Sequence, residues 1–173
     1  MNTLTPHTSP RLTLIAAVSE DGFISREKGV PWDLPRDRLH FRAITAGRWL
    51  LLGRRTYDEM RGWFRDHTPL VLTHDSGLIV PNGHAVRDVA EALALAQSSA
   101  VGEIFVCGGS AAYAAAMPYA QRLLITEVQT TLGSGVSFPA ISPDEWICTS
   151  SQRQDADAEN AHSMRFTEYQ RRK

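Results

Sequence analysis

An α/β fold with antiparallel strands added at its carboxyl end is what three features of this chain predict. Short apolar runs alternate with segments of helical composition, the pattern of a sheet flanked by helices. Two of those runs, Trp49–Leu52 and Glu103–Cys107, lead into glycine just ahead of a helix-forming segment. The last stretch, Glu145–Gln170, shows interrupted alternation and reads as a long antiparallel hairpin, with QDADAEN as its solvent-facing turn.

Taken in order, Leu12–Ser19 mixes apolar and small residues as a buried strand does, and Glu20–Gly22 is its turn. Phe23 and Ile24 add a short extended piece before the charged SREKG loop. Pro31 and Pro35 restrict the backbone that follows, and Pro35 is placed to open a helix. Asp37, Phe41 and Ile44 then recur at helical spacing and share a face. After Trp49–Leu52 and Gly53 come Arg54 and Arg55, with a helix over Thr56–Met60. Pro69–Thr73 is the next strand, followed by a loop holding Gly77, Pro81, Asn82 and Gly83. Val86 marks a brief strand, and the alanine-rich Asp88–Gln97 a helix that Asp88 can cap. Gly102 closes it, Glu103–Cys107 is a buried strand, and Ala111–Met117 a helix ended by Pro118. Leu123–Val128 is again strand-like, with Gly133 and Gly135 marking a tight, mobile connection.

The composition narrows the functional classes. At 173 residues with a formal charge of −1, the chain fits one domain and gives no sign of a nucleic-acid-binding surface. Cys107 and Cys148 are too few and too distant for a disulfide scaffold or a cysteine metal site, and no metal is expected. No segment is long and apolar enough to span a membrane. MNTLTPHTSPR lacks the apolar core of a secretory signal. The expectation is a flexible extension over residues 1–11, a single domain over 12–173, and a reducing, cytoplasmic setting.

Three places carry chemistry. Asp37 puts a carboxylate on the same helical stripe as Phe41 and Ile44, a stripe that a surface helix turns inward. Two readings fit: an acid meeting the helix dipole and free amides, or a buried carboxylate reserved for a partner. Gly108–Gly109, between strand and helix, serves either as a plain turn or as a phosphate cradle, without the GxGxxG spacing. Gly53–Thr56 sets two guanidinium groups and a hydroxyl at another such turn, either as solvated surface or as directed donors to phosphate. Two such turns in one domain suit a dinucleotide, both halves of which need anchoring.

LIAAVSEDGFI, VPWDLPRD, LLLGRRTYDEM, IFVCGG, FPAISPDEW and DADAENAHSMRF stand in an order and at separations that resemble dihydrofolate reductase over roughly Leu12–Arg172. The resemblance implies a three-layer α/β fold with a predominantly parallel eight-stranded sheet and an antiparallel carboxyl-terminal hairpin. It implies NADPH-dependent reduction of 7,8-dihydrofolate, by hydride transfer to C6 with protonation of N5. Asp37 would pair with the pyrimidine edge of the pterin, and Trp32 would add an ordered wall and a hydrogen-bonding indole near that acid. Ile15, Ala17, Val30, Phe41, Phe64, Cys107 and Tyr113 would form the substrate and nicotinamide pocket. Gly53, Arg54, Arg55, Thr56, Thr73, Gly108, Gly109, Ser110, Tyr113 and Ala17 would hold NADPH, the arginine pair favouring its 2′-phosphate over NADH. The expected partner is a small molecule alone, with the protein a monomer and a dimer also compatible.

Two departures from the family pattern bear on specificity. His67, in GWFRDHTP, stands where many members carry an arginine for the folate glutamate carboxylate. It is expected on a loop or the surface, with Arg38, Arg42 or Arg65 as replacement cations. Gly135 and Val136 stand where an acidic residue and a hydroxyl are common, so a loop-closing contact is expected to be missing. A reductase of another pterin or of a ribosylaminopyrimidine phosphate, and a catalytically silent ligand-binding homologue, are the alternative readings.

Overall fold

The computed structural model describes residues 9–27 and 29–173, so most of the expected extension lies outside the described residues. The chain runs through β1 (Arg11–Ser19), β2 (Phe23–Ser25), α1 (Pro35–Thr45), β3 (Trp49–Gly53), α2 (Arg54–Glu59) and β4 (Thr68–Leu72). It continues with β5 (His84–Val86), α3 (Val89–Ser98), β6 (Glu103–Val106), α4 (Ser110–Ala116), a 3-10 turn at Met117–Tyr119, and β7 (Arg122–Val128). It ends with β8 (Val136–Ser137), β9 (Trp146–Gln154) and β10 (Met164–Arg171). Arg11, grouped by sequence with the extension, already belongs to β1, where it lies beside Glu103 in the parallel ladder.

Eight strands form one sheet in the order β5-β4-β3-β6-β1-β7-β10-β9. All neighbours from β5 to β7 pair in parallel, and β10 joins β7 and β9 antiparallel. Alternation splits each central strand between two cores. Leu12, Leu14, Ala16 and Val18 face one side with Leu51, Ile104 and Val106, where α3 and α4 add Val89, Ala92, Ala112 and Ala116. Ile15, Leu50, Leu52, Val71 and Phe105 face the other, beneath Phe41 and Ile44 of α1 and Tyr57 of α2. Helices on both faces make three layers, and burial on both sides is why these strands read as continuous apolar runs.

Local chemistry explains most boundaries. Asp88 caps α3 by accepting from the Glu91 amide at 2.8 Å. Pro35 opens α1, where a missing N–H costs nothing. The helix after β3 starts at Arg54 rather than Thr56, because Gly53 is its N-cap, so both arginines lie in its first turn. The Gly133–Gly135 connection is not simply a loop. It leads into β8, which pairs with β2 in a separate two-stranded sheet. QDADAEN does form the β9–β10 turn, although Asn160 within it is 2% exposed.

The parallel order brings β3 and β6 side by side, and their carboxyl ends stay together beyond the strands. The Cys107 amide donates to the Leu51 carbonyl at 2.9 Å, and the Gly53 amide to the Gly108 carbonyl at 2.7 Å. Both glycine turns therefore open on one crevice, the usual place for a ligand at the carboxyl edge of such a sheet.

Candidate active site

That crevice is a cavity of about 770 Å³. Ala17 of β1 and Cys107 and Gly108 after β6 make its floor, and Asp37, Phe41 and Arg42 of α1 make one wall. Val30 and Trp32 stand along a second wall, in the segment that follows β2. Gly53–Thr56 and Gly109–Ala112 close the far end. A smaller space of about 150 Å³ continues beneath Asp37, between Ile15, His40, Tyr113 and Thr126.

Asp37 is the one acid of α1, and its Oδ1 accepts from the Thr126 hydroxyl of β7 at 2.6 Å. Burial raises its pKa above the ordinary carboxylate range, while the Thr126 hydrogen bond and nearby His40 pull the other way. Burial in turn lowers the His40 pKa, and the His40 ring stacks on Phe166 of β10 with centroids 3.9 Å apart. Of the two sequence readings, the structure fits the second: Asp37 is half-buried and its carboxylate is held by a side chain rather than left to solvent. Thr126, not the Trp32 indole, is the side chain that bonds it. Trp32 packs with Leu34, Val128 and Met164 and serves as wall.

The far end has the chemistry of an anion cradle. Neither α2 nor α4 carries a side-chain cap at its start, so first-turn amides are left free beside the cleft. The two turns approach so closely that side chains would fill the space. A Cβ on Gly53 would lie 3.6 Å from the Gly109 nitrogen, and one on Gly109 3.1 Å from the Thr56 hydroxyl. Arg54 is held by Asp58 at 2.8 Å and Asp75 at 3.6 Å. Arg55 pairs with Glu59 at 3.0 Å and is otherwise solvated. These exposed pairs are weak and yield readily to a phosphate. The residues present fit a dinucleotide.

Most of the residues singled out by sequence converge here: Ala17, Val30, Trp32, Asp37, Phe41, Gly53–Thr56, Cys107–Ser110 and Tyr113 all line the cavity. Ile15 borders only the smaller space, and its carbonyl accepts from the Tyr113 hydroxyl at 2.7 Å. Phe64 packs beneath the cleft on Tyr57, and its neighbour Trp63 reaches the lining instead. Thr73 follows β4, where its hydroxyl accepts from the Asp75 amide at 3.0 Å, outside the lining. Burial pushes the Cys107 thiol pKa far up, in keeping with a packing role.

His67 does lie in the loop before β4, but it is 8% exposed rather than on the surface, and its ring stacks on Trp63 at 4.6 Å. Nδ1 accepts from the Arg65 amide at 3.2 Å. That puts the ring proton on Nε2, which is buried without a partner among the described residues. Asp66, 3.7 Å from Nδ1, is therefore a neighbour and not an ion-pair partner. Burial holds the His67 pKa down. A neutral, enclosed imidazole cannot stand in for arginine toward a carboxylate. Of the proposed substitutes, Arg38 pairs with Asp33, whereas Arg42 is exposed along the cleft.

Sequence reasoning missed Thr126 and Trp63. Thr126 lies in the expected strand Leu123–Val128, LLITEV, but 89 residues from its partner Asp37. Nothing in the sequence sets β7 beneath α1.

An anion cradle joined to a buried acid in one crevice of a doubly covered sheet defines a dinucleotide-dependent α/β enzyme. A family model described as dihydrofolate reductase matches residues 11–171. The chain is 36% identical over 138 residues to dihydrofolate reductase of Mycobacterium tuberculosis, covering 77% of this chain and 82% of that one. It is 27% identical over 162 residues to dihydrofolate reductase type 3 of Salmonella typhimurium, covering 94% and 99%. Its fold superposes on dihydrofolate reductase from Enterococcus faecalis complexed with NADP(H) and RAB-propyl. The TM-score is 0.83 at 27% identity, with 94% of this chain and 97% of that one covered. The chain belongs to the dihydrofolate reductase family.

Proposed function

We propose that Asp37 orients and polarises the substrate in the NADPH-dependent reduction of 7,8-dihydrofolate to 5,6,7,8-tetrahydrofolate. The family carries the reaction to this chain, and the observation that supports the role is the buried carboxylate held by Thr126 at the wall of the cleft. One Asp37 oxygen is engaged by a hydroxyl, which leaves acceptor capacity on the carboxylate for the N–H groups of a pyrimidine edge. A carboxylate there favours positive charge on the pterin and so favours protonation of N5, for which solvent supplies the proton. Phe41 and Trp32 give the ring planar apolar walls, and the small Ala17 lets two flat rings meet over the floor.

NADPH, when bound, supplies the hydride that adds to C6. Gly53–Thr56 and Gly108–Ser110 would hold its phosphates, and Tyr113, fixed to β1 through Ile15, would back its nicotinamide end. Arg42 is the cation best placed for a glutamate tail, since His67 is enclosed. The protein works on a small molecule in a reducing, cytoplasmic setting, in which both cysteines are free. Among the described residues no helix is long and apolar enough to cross a membrane.

Asp37→Asn tests the role, because it keeps volume and one acceptor while removing the charge. At neutral pH kcat should fall by about 10²–10⁴-fold, the usual range for a group assisting proton transfer. The loss should shrink in acid, where N5 protonates unaided, and NADPH affinity should hold. A folded variant with parental rates at neutral pH would falsify the role.

A further inference from the structure

We infer that Asn160, in the β9–β10 turn, is a positioning residue that fixes the start of α1 and thereby the place of Asp37. The inference rests on the proposed role of Asp37. The sequence gives α1 no cap of its own: its N-cap residue is Leu34, whose side chain has no oxygen. Pro35 has no amide hydrogen, and the Arg38 amide finds the Leu34 carbonyl at 3.1 Å. The Arg36 amide is thus an orphan of the first turn, one residue before Asp37. Asn160, from 124 residues away, accepts from it through Oδ1 at 3.0 Å.

Asn160 is itself held fast. Its Nδ2 and backbone amide donate to Asp157 Oδ1 at 2.9 and 2.7 Å, and its carbonyl accepts from the Asp157 amide at 3.0 Å. The other Asp157 oxygen meets the Arg36 guanidinium at 2.5 Å, and the same guanidinium donates to the Asp155 carbonyl at 3.0 Å. The Asn160 amide accepts from a backbone N–H through its oxygen and donates to a carboxylate through its nitrogen, two tasks that an ionised carboxylate cannot combine. The hairpin then reaches Asp37 by a second route. Phe166 of β10 stands opposite Thr126 of β7 in the ladder and carries the stacked His40 of α1. The hairpin thus fixes both the helix that bears the acid and the strand that bears its hydroxyl partner.

The test compares Asn160→Ala, Asn160→Asp and Asp37→Asn, alone and in pairs, by steady-state dihydrofolate reduction and NADPH binding. Asn160→Ala should lower kcat/KM for dihydrofolate by about tenfold, as a small misplacement of a reacting group does, and leave the NADPH Kd within about twofold. In the Asp37→Asn background the same change should do almost nothing further. Asn160→Asp keeps the acceptor but sets a second carboxyl against Asp157, with the Arg36 guanidinium as the other charge facing it. Its loss relative to the parent should be full at neutral pH and recover in acid, where the new carboxyl protonates and donates again. Asp157 still accepts from the Glu159 amide and the backbone amide at position 160 and still faces the Arg36 guanidinium, all of which favour its ionised form. Asn160→Ala should not recover. A loss undiminished in the Asp37→Asn background, or no recovery of Asn160→Asp in acid, overturns the positioning role alone. Parental rates for Asp37→Asn by itself overturn the role of the acid and this inference with it. If Asn160→Ala does not fold, Asn160→Asp carries the comparison.

Discussion

Replacing Gly135 by alanine would show how the outer wall of the cleft is held. β2 and β8 pair only at Phe23↔Ser137 and Ser25↔Val136, with the Phe138 amide donating to the Gly22 carbonyl at 2.9 Å. Gly135 sits at φ +153°, and a Cβ there would lie 2.2 Å from the Ser25 carbonyl oxygen. That is roughly 1 Å inside van der Waals contact, against backbone that cannot swing aside. A side chain in such a conformation costs about 1–3 kcal/mol. Parting β8 from β2 relieves the overlap, since neither strand belongs to the main sheet and neither contains a buried side chain. With about 2 kcal/mol taken from local closure, exchange of the Phe138 amide should quicken by about thirtyfold while the thermal midpoint hardly moves. The KM for dihydrofolate should rise, because Val30 and Trp32 follow β2 into the cleft wall. Asp21 should keep its grip, since its carboxylate accepts from the Ser19 hydroxyl and the Leu132 and Gly133 amides outside the disturbed pair. Unchanged exchange at Phe138 together with an unchanged KM would refute the account. Glycine at 135 thus permits a β2–β8 pairing that any side chain there would block.

Arg55→Ala should weaken NADPH binding much more than NADH binding, because only the former offers an extra phosphate to a guanidinium now paired with Glu59 alone; equal losses would reject the contact. Arg42→Ala should slow reduction of dihydrofolate and spare a tail-free dihydropterin, and identical changes toward both would remove Arg42 as the tail cation. Asp37→Asn should be more stable than the parent at neutral pH, as judged by urea midpoints. Burial raises the folded-state pKa of Asp37, so ionising it costs stability above that pKa, and the cost fades as pH falls through it. A stability difference that grows in acid would contradict the assigned direction.

The fold was legible where burial on both faces wrote itself into composition. Trp49–Leu52 and Ile104–Val106 are apolar throughout because helices cover both sides of β3 and β6, and a glycine follows each strand where the chain turns into the crevice. The two-stranded sheet was not legible, since β2 has three residues and β8 two, too short for any period to register. Asp37 was legible through its spacing to Phe41, but not its hydroxyl partner, which depends on β7 lying beside β1. His67 misled because a polar ring between Asp66 and Thr68 reads as surface. Its burial comes from aromatic packing on Trp63 and Phe64 that a linear pattern does not display.

Strand order also divides the site into two separately supported halves. The two glycine turns proposed to hold phosphates hang on β3 and β6, bond to each other through Gly53 and Gly108, and owe nothing to the carboxyl-terminal hairpin. The acid hangs on α1, tied down by β7, β10 and the β9–β10 turn. β1 runs between β6 and β7 and is the strand that touches both. Its Ile15 carbonyl holds Tyr113 of the cradle-side helix, and Ala17 forms floor under both ends of the cavity. Geometry between the two ligands therefore passes through a strand whose central residues are buried and whose two ladders are parallel and continuous. A buried central strand under both ends of the cavity suits holding two bound rings in register.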